Sequence, residues 1–573
     1  MLVSSHSAAS FNQYIRDEDD DKEDPFQEVI VSCRSLSHYE DQATLKTAVP
    51  QAIAAFLAAS FHVVIGISLA YSAILIPQVE REDSDLKLTK SESSWIASII
   101  VIAVPIGCLF AGALMECVGR LHTIKLAMIP CIAGWIAIAM ADNFYVLLIG
   151  RILTGLGCAI GTSPAIVYIT EVARPDLRGS LMSTAPTIAS FGMIIAYAEG
   201  AFLHWRLVSW LNIGYTIIPC ILVQFFVPES PVWLVSKGRI EDARKSLSYL
   251  YKAYPQPEHT TQTLAEMHLC ALQREREQKL AKDIKTSKSD SSEKNKFRQT
   301  LEAFMQPTGY KPLIVLFWLF LIQQYSGIYI TLFFAVTFFQ EVGSSIDAFT
   351  VSIFVGVTRF LMSLTNAWLL KRFKRRPLLM TSSIGMAACM FISGAFTYWL
   401  KNGQTTLDWV PVVFFMLYVC ASMMGLLSIP WTMTAEMFPT EIRGIGHSIA
   451  YSMANILMFA AIQSYRSLSD ALGGAYAVQW FFAGVAILGF FFALIFLPET
   501  HGKKLSEIEA YFRGDYKKMK NKSEKSTDDF NNSSGIKINK NLMTKMSKPN
   551  LATVDEQEQM IKPKKNNKKK EFA

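Results

Sequence analysis

The sequence predicts an all-α membrane protein in which twelve transmembrane helices form two six-helix bundles joined by a helical linker. Of its 573 residues, 51% are hydrophobic, and the mean hydropathy is +0.26. Apolar stretches long enough to cross about 30 Å of hydrocarbon recur twelve times along the chain. A set of charged motifs in the first half returns in the same order in the second half. This composition and repetition favour a polytopic membrane protein over a set of soluble domains.

The apolar stretches set the predicted domain boundaries. They are residues 52–76, 94–115, 122–141, 144–168, 180–200, 207–227, 311–339, 348–370, 378–400, 409–432, 445–466 and 475–497. An N-terminal tail, a first bundle, a linker, a second bundle and a C-terminal tail then occupy residues 1–50, 51–234, 235–310, 311–500 and 501–573. Both tails are polar, which predicts that they are largely disordered. In the linker, Ile240, Ala243 and Leu247 recur at helical spacing and predict an amphipathic helix.

One motif occurs twice, each time at the end of an apolar helix. Residues 171–179 read EVARPDLRG, and residues 436–444 read EMFPTEIRG. Each copy is preceded by a basic cluster and followed by Pro-Glu-Ser or Pro-Glu-Thr, at residues 119–120, 371–376, 228–230 and 498–500. The repeated order predicts two homologous halves whose charged motifs lie at the same membrane face.

Basic residues in the short loops predict the orientation of the helices. They collect at the face of the repeated motif, at Arg120, Lys125, Arg174, Arg178 and residues 371–376. The loop after the first helix is acidic instead, from Glu80 to Asp85. Since loops rich in Lys and Arg stay in the cytoplasm, we expect the motif, the linker and both termini there. The net charge of +7 then serves membrane orientation, so the lipid bilayer is the expected partner and nucleic acid is not.

The charges at the motif face are candidates for gating. Glu171 and Glu436 can each pair with Arg178, Arg443 or a loop arginine, and such pairs would close the cytoplasmic side while the other side is open. The loop residues considered are Glu116, Arg120 and Arg376. Each pair near the interface contributes at most about 1 kcal/mol, which suits a two-state device. The alternative is that these are solvated loop charges.

Arg151 lies inside an apolar helix and must find a partner there. Burying an arginine at the centre of a membrane costs about 2.5–3.5 kcal/mol on insertion scales. An acid or a backbone carbonyl would meet this need, and Glu116 and Glu171 are the acids within reach of the same face. We therefore place Arg151 with the gating residues.

Two adjacent amides, Gln323 and Gln324, lie in the seventh apolar helix. An unpaired amide in hydrocarbon is costly, so at least one of them is expected to face a wet cavity. Their donors and acceptors suit the vicinal hydroxyls of a sugar, and Trp431 offers an aromatic face for its C–H surface. Hydrogen bonding between helices alone is the alternative.

Eight short motifs in a fixed order resemble the sugar porter branch of the major facilitator superfamily, which includes facilitative glucose transporters and insect trehalose transporters. They are GALMECVGR (112–120), GRILTGLG (150–157), EVARPDLRG (171–179), PESPVWL (228–234), QQYSGIYI (323–330), IPW (429–431), EMFPTEIRG (436–444) and PETHG (498–502). The resemblance covers about residues 50–505. It implies the major facilitator fold, transport by alternating access, and substrate contacts from Gln323, Gln324 and Trp431.

Several positions depart from the family pattern and become candidate substrate residues. Tyr329 and Arg359 stand where family members commonly have Asn, Asn455 belongs to a pair that replaces Asn-Trp, and Thr187 aligns with a Gln of glucose transporters. Arg359 falls near the centre of the eighth helix. We hypothesise that it binds an anionic or hydroxyl-rich substrate group. A structural pairing and an inactivating substitution are the alternatives.

The expected function is facilitative transport of a sugar such as glucose or trehalose, most simply in the plasma membrane. Proton-linked relatives carry an Asp in the first helix, whereas this chain has no carboxylate between Gln51 and Gln78. Another small polar or anionic solute, or a sugar sensor that does not transport, are the alternatives. Neither an enzyme nor a cofactor is expected, because no catalytic, metal-binding or phosphate-binding motif is found and the nine cysteines are scattered.

Overall fold

A computed structural model of the chain describes most of the residues between the two tails. The described residues are 45–81, 84, 86–251, 265–266, 268–278, 280, 302, 304–343, 346–439, 442–501, 503 and 505–513. Most of the two predicted tails therefore lies outside the described residues. The chain divides into two units, residues 1–503 and 504–573. Within the described residues, twelve helical segments of the first unit are long and apolar enough to cross a membrane, which confirms the predicted fold class.

Six of these spans belong to the first half. Its helices are α1 (Leu45–Ala59), α2 (His62–Val79), α3 (Lys90–Val118), α4 (Arg120–Ala139), α5 (Phe144–Val172), α6 (Pro175–Met182), α7 (Thr184–Phe202) and α8 (Trp205–Phe226). The ends of these helices carry their expected signals. The side chain of Thr89 accepts from the backbone N–H of Glu92, while Glu92 accepts from Thr89 in return. Asn143 caps α5 in a similar way.

The linker adds α9 (Pro231–Ser236), α10 (Ile240–Leu250) and helical residues at 268–278. The apolar face of α10 is buried in a small hydrophobic core with side chains of α9 and of the later helical segment, among them Trp233, Leu247 and Leu269. The polar face of α10 begins with Glu241 and Asp242, which suit the positive end of its helix dipole. The linker is therefore a packed helical element over the part that the structure describes.

The second half supplies the other six spans. Its helices are α11 (Pro307–Tyr325), α12 (Ile330–Phe333), α13 (Ala335–Val342), α14 (Ala348–Arg372), α15 (Arg375–Lys401), α16 (Val410–Met424), α17 (Ile429–Glu436), α18 (Arg443–Leu472) and α19 (Ala475–Ile495). The second unit contributes α20 (Leu505–Arg513).

Two spans of the second half are interrupted, where the sequence predicts continuous helices. In the seventh span, α11 ends at Tyr325 because Gly327 has a positive φ of 90°. A Cβ at Gly327 would lie 2.4 Å from the ring of Phe482, so only glycine fits there. In the tenth span, α16 ends at Met424 and α17 begins at Ile429. Interrupted spans leave backbone carbonyls without helical partners, which lets a side chain bind them inside the membrane.

Helices from both halves meet around the middle of the first unit. The long helix α3 packs against α18, α7 packs against α14, and α2 packs against α12 and α13. On the outside, large apolar side chains stay uncovered, including Leu109 at 75%, Phe202 at 85% and Phe225 at 75% exposure. A soluble protein would not leave so many apolar side chains in water, so these surfaces face lipid. The protein is an integral membrane protein.

Candidate substrate site and ion-pair clusters

A three-residue cluster joins the ends of α4, α5 and α9 at the face that carries the repeated motif, called here the motif face. The guanidinium of Arg120 donates to the carboxylate of Glu171 through Nη2 at 2.8 Å and through Nε at 3.1 Å. The hydroxyl of Ser230 donates to Oε2 of the same carboxylate at 2.5 Å. The side chains of Arg120 and Glu171 are 11% and 14% exposed, so the pair is largely shielded from solvent.

Glu229, the acid of the Pro-Glu-Ser sequence, caps the start of α4. Its carboxylate accepts from the backbone N–H groups of Arg120 and Leu121, both at 3.1 Å. A carboxylate at a helix N-terminus satisfies unpaired N–H groups and suits the helix dipole. Gly119 precedes this turn with φ 104°, and a Cβ there would lie 2.7 Å from a Glu229 oxygen. The glycine is thus required for the carboxylate to approach the backbone.

The second half builds the same cluster from its own copies. Arg375 donates to Glu436 at 3.1 Å, and the Thr500 hydroxyl donates to the same carboxylate at 2.6 Å. Glu499 accepts from the backbone N–H groups of Arg375 and Arg376 at 3.0 and 3.1 Å. The two landmarks that follow the repeated motif therefore have one physical role in both halves: they cap a helix and hold the motif carboxylate.

The sequence indicates Arg376 as the ion-pair residue of the second basic cluster, but Arg376 does not pair with Glu436 in the structure. Its guanidinium donates to the backbone carbonyls of Ala493 and Leu494, and the partner of Glu436 is Arg375. The repeat contains the signal for this, because Lys371 to Arg375 has the same spacing as Glu116 to Arg120.

The remaining motif-face charges are more loosely placed. Glu116 lies 3.5 Å from Arg120 and is 70% exposed, so its interaction is weak. Arg178 is exposed and makes no ion pair with any described residue. The side chain of Arg443 lies outside the described residues. Glu171 and Glu436 thus pair with loop arginines of their own halves, and their pairs hold each half together rather than joining the two halves.

Arg151 is buried inside the first half, and its described partners all belong to that half. It is fully buried, and its guanidinium donates to the Ser68 carbonyl at 3.0 Å and to the Ser72 hydroxyl at 2.5 Å. Its Nε points at the carbonyl of Ile96 at 3.4 Å. The sequence left open whether an acid or a carbonyl pairs with Arg151. The structure shows carbonyls, and neither Glu116 nor Glu171 is its partner.

The opposite face carries an ion pair between the halves that the sequence does not reveal. Glu80 follows α2, and its carboxylate lies 2.7 Å from the guanidinium of Arg466 on α18. One turn away on α18, the amide oxygen of Gln463 accepts from the Ser98 hydroxyl at 2.8 Å. We call this the clasp face. The sequence does contain the two partners, in the acidic loop after the first span and at an arginine near the end of the eleventh span. No local pattern predicts that they pair.

Gln323 and Gln324 lie at the interruption of the tenth span. Both are fully buried. Gln323 Nε2 donates to the carbonyls of Leu426 and Leu427, each at 2.9 Å, which are free because the helix is broken there. Gln324 Nε2 donates to Gln323 Oε1 at 3.1 Å, and Gln324 Oε1 is left without a partner. Since Gln323 must donate to two carbonyls, its oxygen is the acceptor, and this orients both amides.

An aromatic group lies beside the two amides. Trp431 donates from its indole nitrogen to the hydroxyl of Tyr329 at 3.2 Å. Its ring packs against Phe320 and Tyr451, with centroid separations of 4.9 and 5.3 Å. Tyr329 and Trp431 are only partly buried. As the Tyr329 hydroxyl accepts from Trp431, its own proton remains available to a ligand.

Thr187 and Asn455 make contacts within the protein. The hydroxyl of Thr187 lies 3.0 Å from that of Ser363, so the pair bridges α7 of the first half and α14 of the second. Asn455 donates to the backbone carbonyl of Tyr451 at 2.8 Å, one turn earlier on the same helix. Thr187 thus contributes to the contact between the halves, and Asn455 binds the backbone of Tyr451, whose ring packs against Trp431.

Arg359 lies on the same stripe of α14 as Ser363, between the two halves. It is 8% exposed, and its Nε has no partner. Three tyrosines, Tyr197, Tyr329 and Tyr418, lie close enough to act electrostatically on its guanidinium. Tyr197 comes from the first half and Tyr418 from α16, so Arg359 occupies the centre of the unit together with Tyr329.

Two similar six-span halves with matching motif-face clusters, and a buried polar centre between them, define a membrane protein of the major facilitator fold. Solved structures show this fold. They include the partially occluded inward-open xylose transporter XylE from E. coli, with a TM-score of 0.60 and 21% identity, covering 79% of this chain and 99% of that one. The proton:xylose symporter XylE bound to 6-bromo-6-deoxy-D-glucose has a TM-score of 0.56 and 20% identity, covering 82% and 99%.

The chain belongs to the sugar (and other) transporter family, whose model matches residues 47–512. It is 31% identical over 469 residues to the facilitated trehalose transporter Tret1-2 homolog of Drosophila simulans, covering 81% of this chain and 91% of that relative. It is 30% identical over 474 residues to the facilitated trehalose transporter Tret1 of Drosophila erecta, covering 82% and 52%. The chain therefore spans about half the length of the Tret1 relatives. The family resemblance predicted from the eight motifs is confirmed.

Proposed function

We propose that the protein is a facilitative carrier that moves a sugar across the membrane by alternating access. The observation that carries this proposal is the unpaired amide oxygen of Gln324, which is fully buried next to Gln323 and lies a few residues before the partly exposed Tyr329, whose hydroxyl accepts from Trp431. An acceptor left bare in such a place is expensive unless a ligand or water meets it. A sugar hydroxyl is a donor that fits it.

The same centre offers the other contacts that a sugar ring needs. The Tyr329 hydroxyl can donate, Gln323 orients Gln324, and the Trp431 ring can pack on the apolar face of the sugar. In this proposal Thr187 and Asn455 act through the walls of the site, because their described contacts are with protein groups.

Movement between two states follows from where the polar contacts lie. Each half carries its own Arg-Glu cluster, which keeps the half rigid, and single polar contacts join the halves within the part of the chain that the structure describes. Glu80 with Arg466 crosses on the clasp face and Lys371 with Ser180 crosses on the motif face. Thr187 with Ser363 and Tyr197 with the Leu332 carbonyl also join the halves. Opening one end requires breaking only its own contacts, which suits a rocking motion about the centre.

We place the motif face and both termini in the cytoplasm, and the carrier in the plasma membrane. The support for the orientation is the excess of Lys and Arg in the loops at the motif face. Reactivity of cysteines placed at Arg178 and Ser84 toward an impermeant reagent in intact cells tests it. We expect labelling at position 84 only, and labelling at position 178 only would reverse the orientation.

We further propose uniport rather than proton symport. Residues 51–78 contain no Asp or Glu, and His62 is buried with its Nδ1 lying 3.1 Å from the Ala59 carbonyl. Uptake at a fixed substrate concentration should therefore not respond to an imposed proton gradient. A several-fold acceleration by an inward gradient would contradict this.

Counterflow in proteoliposomes tests the carrier function itself. The purified full-length chain should exchange labelled glucose, trehalose or a derivative of either against the same unlabelled sugar. Gln324→Ala should lower this exchange strongly, whereas Gln224→Ala, which removes an exposed amide near Lys125, should not. Binding of sugar without any exchange would favour the sensor, and neither binding nor exchange of any sugar would end the proposal.

A further inference from the structure

Arg359 is a buried cation without a partner among the described residues. No ion pair or hydrogen bond to its guanidinium is present in the described part of the chain, and it is 8% exposed. The tyrosines around it are occupied: Tyr197 donates to the Leu332 carbonyl at 3.1 Å, and Tyr418 donates to the Ser326 carbonyl at 2.7 Å. Both hydroxyls are therefore neutral groups engaged with backbone carbonyls. No carboxylate of the described residues pairs with Arg359.

Arg151 shows what the same side chain does when the protein supplies its partners. It is more deeply buried, at 0% exposure, and its guanidinium reaches two carbonyls and a hydroxyl within 3.4 Å. The surroundings of Arg359 offer no such set. A buried charge without partners is strongly unfavourable. The guanidinium of Arg359 is therefore available to an acceptor from outside the chain.

We propose that Arg359 recognises a carboxylate, and that the substrates are sugars bearing a single negative charge, such as uronic acids. This rests on the proposed carrier function and names the substrate class of the same site. The guanidinium fork matches the two oxygens of a carboxylate. Gln324 Oε1 and the Tyr329 hydroxyl then meet the hydroxyls of the ring, and Trp431 meets its apolar face.

The charge of the site favours a carboxylate over a phosphate. The other side chains assigned to the centre, which are Gln323, Gln324, Tyr329 and Trp431, are neutral. One guanidinium balances one negative charge. A sugar phosphate carries about −1.5 to −2 at neutral pH, which would leave excess charge buried without a partner.

Proteoliposome uptake of labelled glucuronate and labelled glucose by the full-length chain tests this. We expect uptake of glucuronate to exceed that of glucose by about tenfold or more, as the loss of a buried charge pair would imply. Arg359→Asn should reverse this preference, and Arg359→Lys, which keeps the charge but not the fork, should fall between them. Arg244→Asn, a change at an exposed linker arginine, should leave it unaltered.

The membrane potential provides a second readout. A monoanion carried by a uniporter distributes according to the potential, so 100 mV, positive inside, should raise the final glucuronate ratio about 50-fold while glucose stays at equal concentrations. A ratio that does not respond to the potential would contradict transport of a net charge.

The outcomes separate this inference from the proposed carrier function. Glucose transport without glucuronate transport, with the same preference in wild type and Arg359→Asn, would overturn the inference and leave the carrier function standing. If no sugar is transported, the carrier function fails. Thermal stabilisation of the protein by glucuronate then tests whether Arg359 forms a carboxylate-binding site. Stabilisation that Arg359→Asn abolishes would support a carboxylate site, and its absence in the wild type would overturn it.

Discussion

The motif face and the clasp face use the same kinds of residue for different purposes. At the motif face, the ion pairs Arg120–Glu171 and Arg375–Glu436 each lie within one half, and a hydroxyl donates to each carboxylate. At the clasp face, Glu80 and Arg466 belong to different halves. A pair inside a half stays intact in every state of a rocking carrier, whereas a pair between halves must break. In the proposed rocking carrier, the first kind of pair would support each half, and the second would bias the balance between the two states.

Glu171→Gln should have the largest effect, because it leaves Arg120 beside a neutral amide in a shielded place. Removing one partner of a buried ion pair costs about 3–5 kcal/mol. We expect the midpoint of thermal unfolding to fall by about 5 °C or more, with transport lowered in both directions. Glu116→Gln is the matched control, since that carboxylate is 70% exposed. An unfolding midpoint for Glu171→Gln equal to that of the control would show that the pair does not support the half.

Gly119→Ala should be the next most damaging change, and it separates the two motif-face clusters. Gly119 has φ 104° and leaves room for Glu229, whereas the equivalent Lys374 has φ −67°. Alanine at position 119 must adopt a strained conformation, which costs about 1–3 kcal/mol, and it also displaces the carboxylate. Lys374→Ala should be nearly neutral in the same thermal unfolding measurement. Equal destabilisation by both changes would mean that the backbone strain at position 119 is absent.

Much of the fold follows from sequence patterns that have direct physical causes. The hydrocarbon thickness sets the length of apolar stretches, so twelve spans can be counted before any contact is known. The points where helices end inside a span are harder to predict from hydropathy. The seventh stretch, residues 311–339, is continuous in hydropathy, yet it breaks where Gly327 meets the ring of Phe482. That break depends on a contact with a distant helix, which hydropathy does not contain.

The candidate site shows a similar division. The cost of buried amides and of a buried cation singles out Gln323, Gln324 and Arg359 from sequence alone. Their partners depend on the tertiary structure and cannot be predicted from the local sequence. Gln323, for example, donates to carbonyls that are free because the tenth span is broken. The pairing of Glu80 with Arg466 joins residues far apart in the chain. By contrast, Arg375 could have been found from the repeat, as its spacing copies that of Arg120.

Arg466→Gln tests the clasp face and should have a moderate effect on the balance of states. The pair is partly shielded, at 13% and 22% exposure, and should contribute about 1 kcal/mol to the clasped state. A cysteine placed at Ser98, in a background without the native cysteines, should then react about fivefold faster with a soluble reagent. The exchange Glu80→Arg with Arg466→Glu should restore slow labelling. Unchanged labelling in Arg466→Gln would show that the pair does not hold this end closed.

Lys371→Ala should have the smallest effect, although Lys371 also crosses between the halves. Its ammonium donates to the hydroxyl of Ser180 at 2.5 Å, and this contact is exposed. Exposed contacts of a flexible lysine contribute a few tenths of a kcal/mol, so the transport rate should change less than twofold and thermal unfolding should not change. Lys371→Glu is the sharper variant, because the first half has Glu116 at the equivalent position and Arg375 would gain an acid four residues before it. If that change raises the unfolding midpoint, the missing acid weakens the second cluster; if it lowers the midpoint, the lysine itself supports the motif face.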